Sequence, residues 1–191
     1  MRLILASASP RRAELLTQAG YTFAVETADI DERVRQGERP HDYVRRLAVE
    51  KALAVLRRTK DPDPDVLILA ADTAVIVDDT ILGKPVDEAD GERMLRLLSG
   101  RSHLVLTGVS LRSSTRQLEL VEETAVFMHT LTDDDVRWYA ESGEGLDKAG
   151  GYAIQGLASR FIPRIEGSYS NVVGLPVAQV ARLLGRFATG G

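Results

Sequence analysis

The apolar run Val66–Val77, VLILAADTAVIV, limits what this chain can become. A run so rich in Val, Ile and Leu reads as a strand buried on both faces. Its one polar interruption is Asp72-Thr73. An ionised carboxylate inside such a strand costs several kcal/mol unless a cation or a cleft receives it, roughly the scale set by desolvation. That cost suggests that Asp72 serves chemistry. Asp78-Asp79 then reads as a hairpin turn, because Asp tolerates the positive φ such turns require. Val77 would face Thr80, and counting back sets Thr73 opposite Lys84, one register step from Asp72. Gly83 and Pro85 flank that lysine, and Pro85 ends the pairing. An acid and a lysine at the end of a buried hairpin read either as a reaction centre or as a structural ion pair.

A chain of 191 residues suits one domain, residues 1–191, with room for two lobes. With 44% apolar and 27% charged residues it can bury a core of its own. The absence of cysteine excludes a disulfide framework, a thiolate metal site and a Cys nucleophile, and it fits a reducing cytosol. A net charge of −4 argues against general nucleic-acid binding but leaves room for a local basic pocket. No apolar run approaches membrane-spanning length, and the apolar start is too short for a signal sequence, so a cytoplasmic protein is expected.

Residues 2–6 read as a first strand that runs into a helix, with Ser9 as N-cap, Pro10 as first helical residue and Gly20 as stop. Helix N-termini attract anions, and Arg11 and Arg12 there oppose the helix dipole. Two such arginines make sense if a phosphate completes the site; otherwise they are solvated surface residues. The glycines of a Walker loop are missing. A second strand is expected within 21–26. Asp29, Asp31 and Glu32 then cluster in a loop, either to hold a hard cation or simply to face solvent.

A helix is expected over 40–58, with Val44, Leu47, Ala48 and Val55 as its apolar stripe. Lys51 falls on that stripe, where it can snorkel outward or line a phosphate cleft. On the stripe alone, Lys51→Met should fold and gain stability. Residues 59–65 form a polar connector. Further on come a helix over 87–98, strands over 104–111 and 118–128 joined by a turn, and a helix capped by Thr132 with Asp135 in the capping-box position. Val136, Tyr139 and Ala140 give that helix its apolar side. The glycine-rich segment 146–156 is expected to hold a short strand at 152–154, and its glycines near Lys148 and Gln155 either admit a ligand or make a structural bulge. Residues 161–165 read as a strand, 167–171 as a loop, and Pro176 as the start of a last helix burying Val177, Val180, Ala181 and Leu184. The fold class is α/β or α+β with a mixed sheet.

The segments Ser7-Ala8-Ser9-Pro10-Arg11-Arg12, Asp31-Glu32, Glu50-Lys51-Ala52, Ala71-Asp72-Thr73 and Gly83-Lys84-Pro85 stand in a definite order. They continue through Leu98-Ser99-Gly100-Arg101, His103, Asp147-Lys148-Ala149-Gly150, Gln155-Gly156 and Val172-Val173-Gly174-Leu175-Pro176. In that order and spacing the chain resembles the Maf family of nucleotide pyrophosphatases, once described as septum-formation proteins. The resemblance implies an elongated α/β fold similar to that of inosine triphosphate pyrophosphatases, with a central mixed sheet and a deep cleft between two lobes. It implies metal-dependent hydrolysis of a nucleoside triphosphate to the monophosphate and pyrophosphate.

Matched residue by residue, Asp72 takes the family's proton-acceptor position. Arg11, Thr73 and Gln155 match its base-selectivity positions, and Arg12, Glu32, Lys51 and Lys84 match polar positions of its cleft. One family branch prefers dTTP and UTP; the other prefers 7-methyl-GTP and carries Trp, Gln and Glu at the three selectivity positions. This chain looks like the first branch at all three. In the implied mechanism Asp72 activates water, a divalent metal (Mg²⁺ or Mn²⁺) is held by Glu32 and Asp72, and Arg12, Lys51 and Lys84 neutralise the triphosphate. The helix N-terminus at Ser9 adds backbone donors. The expected partner is a small nucleotide, with no nucleic acid and no membrane, and a homodimer is compatible. The alternatives are a pyrophosphatase for 7-methyl-GTP or for modified nucleotides more broadly, and a non-catalytic nucleotide-binding regulator of cell division.

Overall fold

Residues 2–59 and 65–189 are described by the computed structural model. The connector expected over 59–65 therefore lies, for residues 60–64, outside the described residues. The chain runs β1 (Arg2–Leu5), α1 (Pro10–Gln18), β2 (Phe23–Val25), α2 (Pro40–Leu56), β3 (Val66–Val77), β4 (Thr80–Leu82) and α3 (Glu88–Leu98). It continues with β5 (Ser102–Arg112), β6 (Gln117–Phe127), α4 (Asp133–Glu141), β7 (Arg164–Glu166), α5 (Tyr169–Val173) and α6 (Val177–Thr189). Among the described residues the strands form one seven-stranded sheet in the order β2-β1-β3-β5-β6-β7, with β4 paired to β3. β1 pairs in parallel with β2 and β3, whereas β4 pairs antiparallel with β3 and β7 antiparallel with β6, so the sheet is mixed as expected.

β3 is buried along its whole length except at half-buried Thr73, as its composition requires. Asp78 and Asp79 take φ of 48° and 61°, and Val77 faces Thr80. The hairpin is the expected one, but its ladder ends at Val75↔Leu82, short of Thr73 and Lys84.

Two compact units divide the chain: Met1–Asp72 with Thr107–Glu122 and Gly174–Gly191, and Thr73–Leu106 with Glu123–Val173. In the first, Ala52 and Val55 of α2 pack on Ile4, Ala6, Val66, Ile68 and Ala70. These are alternate positions of β1 and β3 and their continuation, hence one face of the sheet. The helix lies very close to β5: a Cβ on Gly108 would stand 2.2 Å from the Val44 carbonyl oxygen and 2.8 Å from the Arg45 nitrogen. Only a residue without a side chain fits there. In the second unit, Val75, Val77, Leu82, Leu95, Leu98, Val105, Val126, Tyr139 and Phe161 belong to one core cluster. α3 starts on Asp87, whose carboxylate accepts the Asp90 N–H, and α4 starts on the expected Thr132–Asp135 capping box.

Four expectations fail around the glycines and near the C-terminus. No strand forms at 152–154. Gly150 and Gly151 both adopt positive φ, of 71° and 70°, within a 3₁₀ turn, and the Ala153 N–H bonds the Tyr139 hydroxyl instead of a neighbouring strand. The strand expected at 161–165 begins only at Arg164, because Leu157–Phe161 winds as a 3₁₀ helix. The loop expected at 167–171 contains the start of α5, where Ser168 Oγ accepts the Asn171 N–H. In α6 the buried residues are Val180, Leu183 and Leu184, while Ala181 is exposed and Val177 half-buried. A leucine removes more apolar area from water than an alanine, and the helix faces accordingly.

Candidate active site

The first unit gathers Arg11, Arg12, Glu32, Lys51 and Asp72, whereas Lys84 lies in the second. β1 ends beneath a short loop, and Ser7 organises it: Ser7 Oγ accepts the Ser9 N–H at 3.2 Å and Arg12 Nη1–H at 3.2 Å. Ser9 stands at the N-cap of α1 with Pro10 next to it, as expected, yet its own side chain makes no capping bond. Arg12 also donates from Nε to the Gly174 carbonyl at 2.8 Å. It is a buried cation that ties the start of α1 to the turn before α6. Burial lowers its pKa, with the charge of Asp72 pulling the other way. Arg11, one residue earlier, is half-buried.

α2 brings Lys51 to β3. Lys51 Nζ lies 2.6 Å from Asp72 Oδ1 and 2.7 Å from Glu32 Oε1, and both Lys51 and Asp72 are buried. The lysine on the apolar stripe therefore points inward to a carboxylate rather than snorkelling to water. The acid–lysine pair of the central strand forms between Asp72 and Lys51, not through the hairpin register. Burial raises the Asp72 pKa above the usual carboxylate range, opposed chiefly by the charges of Lys51 and Arg12. The expectation that Lys51→Met stabilises the fold is overturned, because the substitution would strand a buried Asp72 without its ammonium partner.

The loop before α2 is pinned to that helix. Tyr43 Oη donates to the Glu32 carbonyl at 3.0 Å, and Arg46 Nη2 donates to the Arg33 carbonyl at 3.1 Å. Arg46 also pairs with Glu38 at 2.5 Å. Burial, with the nearby charges of Asp72 and Glu32, pushes the Tyr43 phenol up to about 12. Tyr43 was not singled out in the sequence, and nothing in its spacing marks it. Of the three loop acids, Asp31 pairs bidentately with Arg33, which holds its carboxyl well below the usual range. Asp29 is exposed.

Glu32 and Asp72 thus aim oxygens at one point, now taken by a single ammonium. Two converging carboxylates suit a hard divalent cation that completes its shell with water and phosphate oxygens. Glu32 and Asp72 are the residues that could hold such an ion.

Thr73, Lys84 and Gln155 belong to the second unit. Thr73 is the next residue of β3 after Asp72, and half-buried. Lys84 is exposed beyond β4, just after Gly83, whose carbonyl accepts the Gly150 N–H at 3.0 Å. Gln155 is exposed in the turn at 154–156.

Comparison with known proteins adds a second line of observation. The family model described as Maf-like protein matches residues 2–187. A dTTP/UTP pyrophosphatase of Anaeromyxobacter dehalogenans (strain 2CP-C) is 51% identical over 189 residues, covering 97% of this chain and 93% of that one. A dTTP/UTP pyrophosphatase of Vibrio parahaemolyticus serotype O3:K6 is 48% identical over 187 residues, with coverage of 98% and 97%. A partial structural overlap exists with the Staphylococcus aureus Ham1 protein: TM-score 0.42, 12% identity, 67% of this chain and 72% of that one.

Proposed function

The chain belongs to the Maf-like protein family, and we propose that it hydrolyses nucleoside triphosphates, dTTP and UTP foremost, to the nucleoside monophosphate and pyrophosphate. The observation that carries this reading is the buried Asp72 paired with Lys51, whose ammonium also meets Glu32. A carboxylate whose proton affinity is raised by burial is a better base for water than a solvated one. Asp72 takes the proton of the water that attacks the α-phosphorus. Hydrolysis at that bond needs positioning and charge neutralisation more than covalent chemistry. Lys51 supplies one positive charge, and Arg11 with the backbone donors at the start of α1 supplies more. Arg12 sets the position of that helix start through Ser7 and Gly174. Lys84 adds a further charge for the triphosphate.

Glu32 and Asp72 would hold a divalent cation, Mg²⁺ or Mn²⁺, which when bound withdraws charge from phosphate oxygens. Arg11, Thr73 and Gln155 select the base. The Gln155 amide offers one donor and one acceptor to a pyrimidine edge, where a glutamate would offer no donor. The setting is cytoplasmic. Among the described residues no helix is long and apolar enough to cross a membrane.

The test is pyrophosphate release with Mg²⁺ from dTTP, UTP, CTP, GTP and 7-methyl-GTP. We expect kcat/KM for dTTP and UTP to exceed that for GTP by at least about tenfold, the worth of one unpaired buried group. A preference for 7-methyl-GTP would overturn the base assignment. Tight binding without turnover would overturn the enzymatic reading in favour of a nucleotide-binding regulator.

A further inference from the structure

An exposed side chain on a turn is not held in place by the turn itself. In the second unit, however, the turn that carries Gln155 is tied on both sides to one pair of side chains. Tyr139 Oη accepts the Ala153 N–H at 3.0 Å and donates its own proton to Glu144 Oε2 at 2.8 Å. Glu144 Oε1 accepts the Leu157 N–H at 3.0 Å. Between them, a Cβ on Gly156 would stand 1.9 Å from Glu144 Oε1, so the backbone next to Gln155 lies directly against the carboxylate.

The pair is itself well held. The Tyr139 ring is 1% exposed and meets Phe161 edge-on at 6.1 Å. The Glu144 backbone is fixed by Ser142 Oγ, which accepts its N–H at 3.2 Å, and by Lys148 Nζ, which donates to its carbonyl at 2.5 Å. Burial, and then the bond to Glu144, raise the Tyr139 pKa above the usual phenol range, so the hydroxyl keeps its proton as a donor. Packing needs only the ring; a phenylalanine would fill the same space. The hydroxyl and the carboxylate serve the two backbone donors that flank Gln155.

We propose that Tyr139 and Glu144 are positioning residues for base selection, which hold Gln155 by gripping Ala153 on one side and Leu157 on the other. This rests on the assignment of Gln155 to base recognition. A loosened turn leaves the amide free to rotate away from the base edge, and discrimination falls while the phosphate chemistry continues.

The experiment compares kcat and KM for dTTP and GTP in the parent, Gln155→Ala, Tyr139→Phe, Glu144→Ala, Glu144→Gln and the double variant Tyr139→Phe/Gln155→Ala, with folding checked by thermal melts. Tyr139→Phe and Glu144→Ala should each lower the dTTP-over-GTP ratio of kcat/KM by about tenfold, the scale of one lost hydrogen bond. The loss should appear in KM for dTTP, with kcat little changed. Glu144→Gln keeps an acceptor for Leu157 and should lose less; it replaces Glu144→Ala should that variant not fold. Gln155→Ala should lower the ratio similarly, and the double variant should lower it no further, because both changes act on one group. If Gln155→Ala lowers the ratio but Tyr139→Phe and the Glu144 variant leave it unchanged, or add to it independently in the double variant, the positioning role is overturned and the Gln155 assignment stands. If Gln155→Ala itself leaves the ratio unchanged, that assignment falls and takes the positioning role with it.

Discussion

Arg12, Lys51 and Asp72 lie buried in the first unit, at 9%, 9% and 7% exposure, whereas the polar groups buried in the second, His103, Thr124 and Asn171, carry no charge. The second set bonds largely within the protein, although His103 Nδ1 has no hydrogen-bond partner among the described residues. Asn171 Nδ2 donates to the Val105 carbonyl at 3.1 Å and to Thr124 Oγ1 at 3.0 Å, and Thr124 Oγ1 accepts the Ser168 N–H at 3.0 Å. His103 Nε2 and the Tyr152 hydroxyl share a bond of 2.7 Å. Hydrogen-bonded neutral groups specify a core at little net cost, because a bond to protein replaces a bond to water. Buried charges are different: their attraction rarely repays desolvation in full. A protein that needed only a stable first unit would do as well with apolar residues at 51 and 72. The contrast sets uncharged polarity in the second unit against charge in the first, where Arg12 ties Ser7 to Gly174 and the Lys51–Asp72 pair is the candidate for chemistry.

The largest effect is expected for Asp72→Asn. The substitution removes the proposed proton acceptor and leaves the shape, and turnover should fall by about 100-fold to 10,000-fold, the range of a general base. Triphosphate affinity should hold or rise, since one buried negative charge is gone, while the melting temperature should fall because buried Lys51 loses a carboxylate partner and keeps only Glu32. Steady-state kinetics with calorimetric binding checks this; wild-type turnover would place the chemistry elsewhere and dissolve the contrast.

Next is Lys51→Met, which leaves Asp72 and Glu32 without the ammonium between them. Loss of one partner of a buried pair costs on the order of 3–5 kcal/mol, moderated here by Arg12 nearby. Asp72 can also escape the penalty by taking a proton. The destabilisation should therefore be greater at pH 8 than at pH 5, as urea unfolding at the two values would reveal. An equal loss at both would mean that Asp72 does not feel the missing charge.

The smallest effect, and the one that sharpens the other side of the comparison, concerns His103. Burial pushes its imidazole down from 6.5 to about 4. The folded protein then binds fewer protons than the unfolded chain between those values, so stability is lost as pH falls from 6.5 towards 4 and the loss is complete below. The drop amounts to at most about 3 kcal/mol at 1.36 per pKa unit. His103→Gln should flatten the part of the stability–pH curve due to this group, with KM for dTTP unchanged. A changed KM would bring His103 into the site and blur the division between the units.

Local signals made most of the architecture legible. β3, its Asp78-Asp79 turn, α2 and the Thr132–Asp135 cap depend on residues close in sequence, and each stands where the pattern put it. The failures have physical causes of another kind. A strand at 152–154 looked natural until its backbone donor was claimed by Tyr139, fourteen residues upstream. The lysine that meets Asp72 comes from 21 positions away along the chain, and the carbonyl that holds Arg12 from 162. A period of 3.6 placed Lys51 on the inward face, but no periodicity names what an inward residue will touch. Asp31 shows the converse: one of three acids that looked like a cation site is already neutralised by Arg33, two residues on. The resemblance to a family suggested roles for positions, and the geometry then distinguished Arg12, which bonds Ser7 and Gly174, from Lys51, which meets Glu32 and Asp72.

Gly108 has a consequence for that geometry at a distance. With the backbone of β5 seated against the Val44 carbonyl, α2 has a fixed zero along its axis. Lys51 sits seven residues further, about 10 Å at 1.5 Å per residue, on a rod too stiff to absorb an offset. A methyl group introduced at 108 would shift or tilt the rod, and the displacement would reach the lysine undiminished, where a few tenths of an ångström separate a short ionic contact from a weak one. The position of the Lys51 ammonium is thus set at a machined stop, two helical turns away, made of backbone alone.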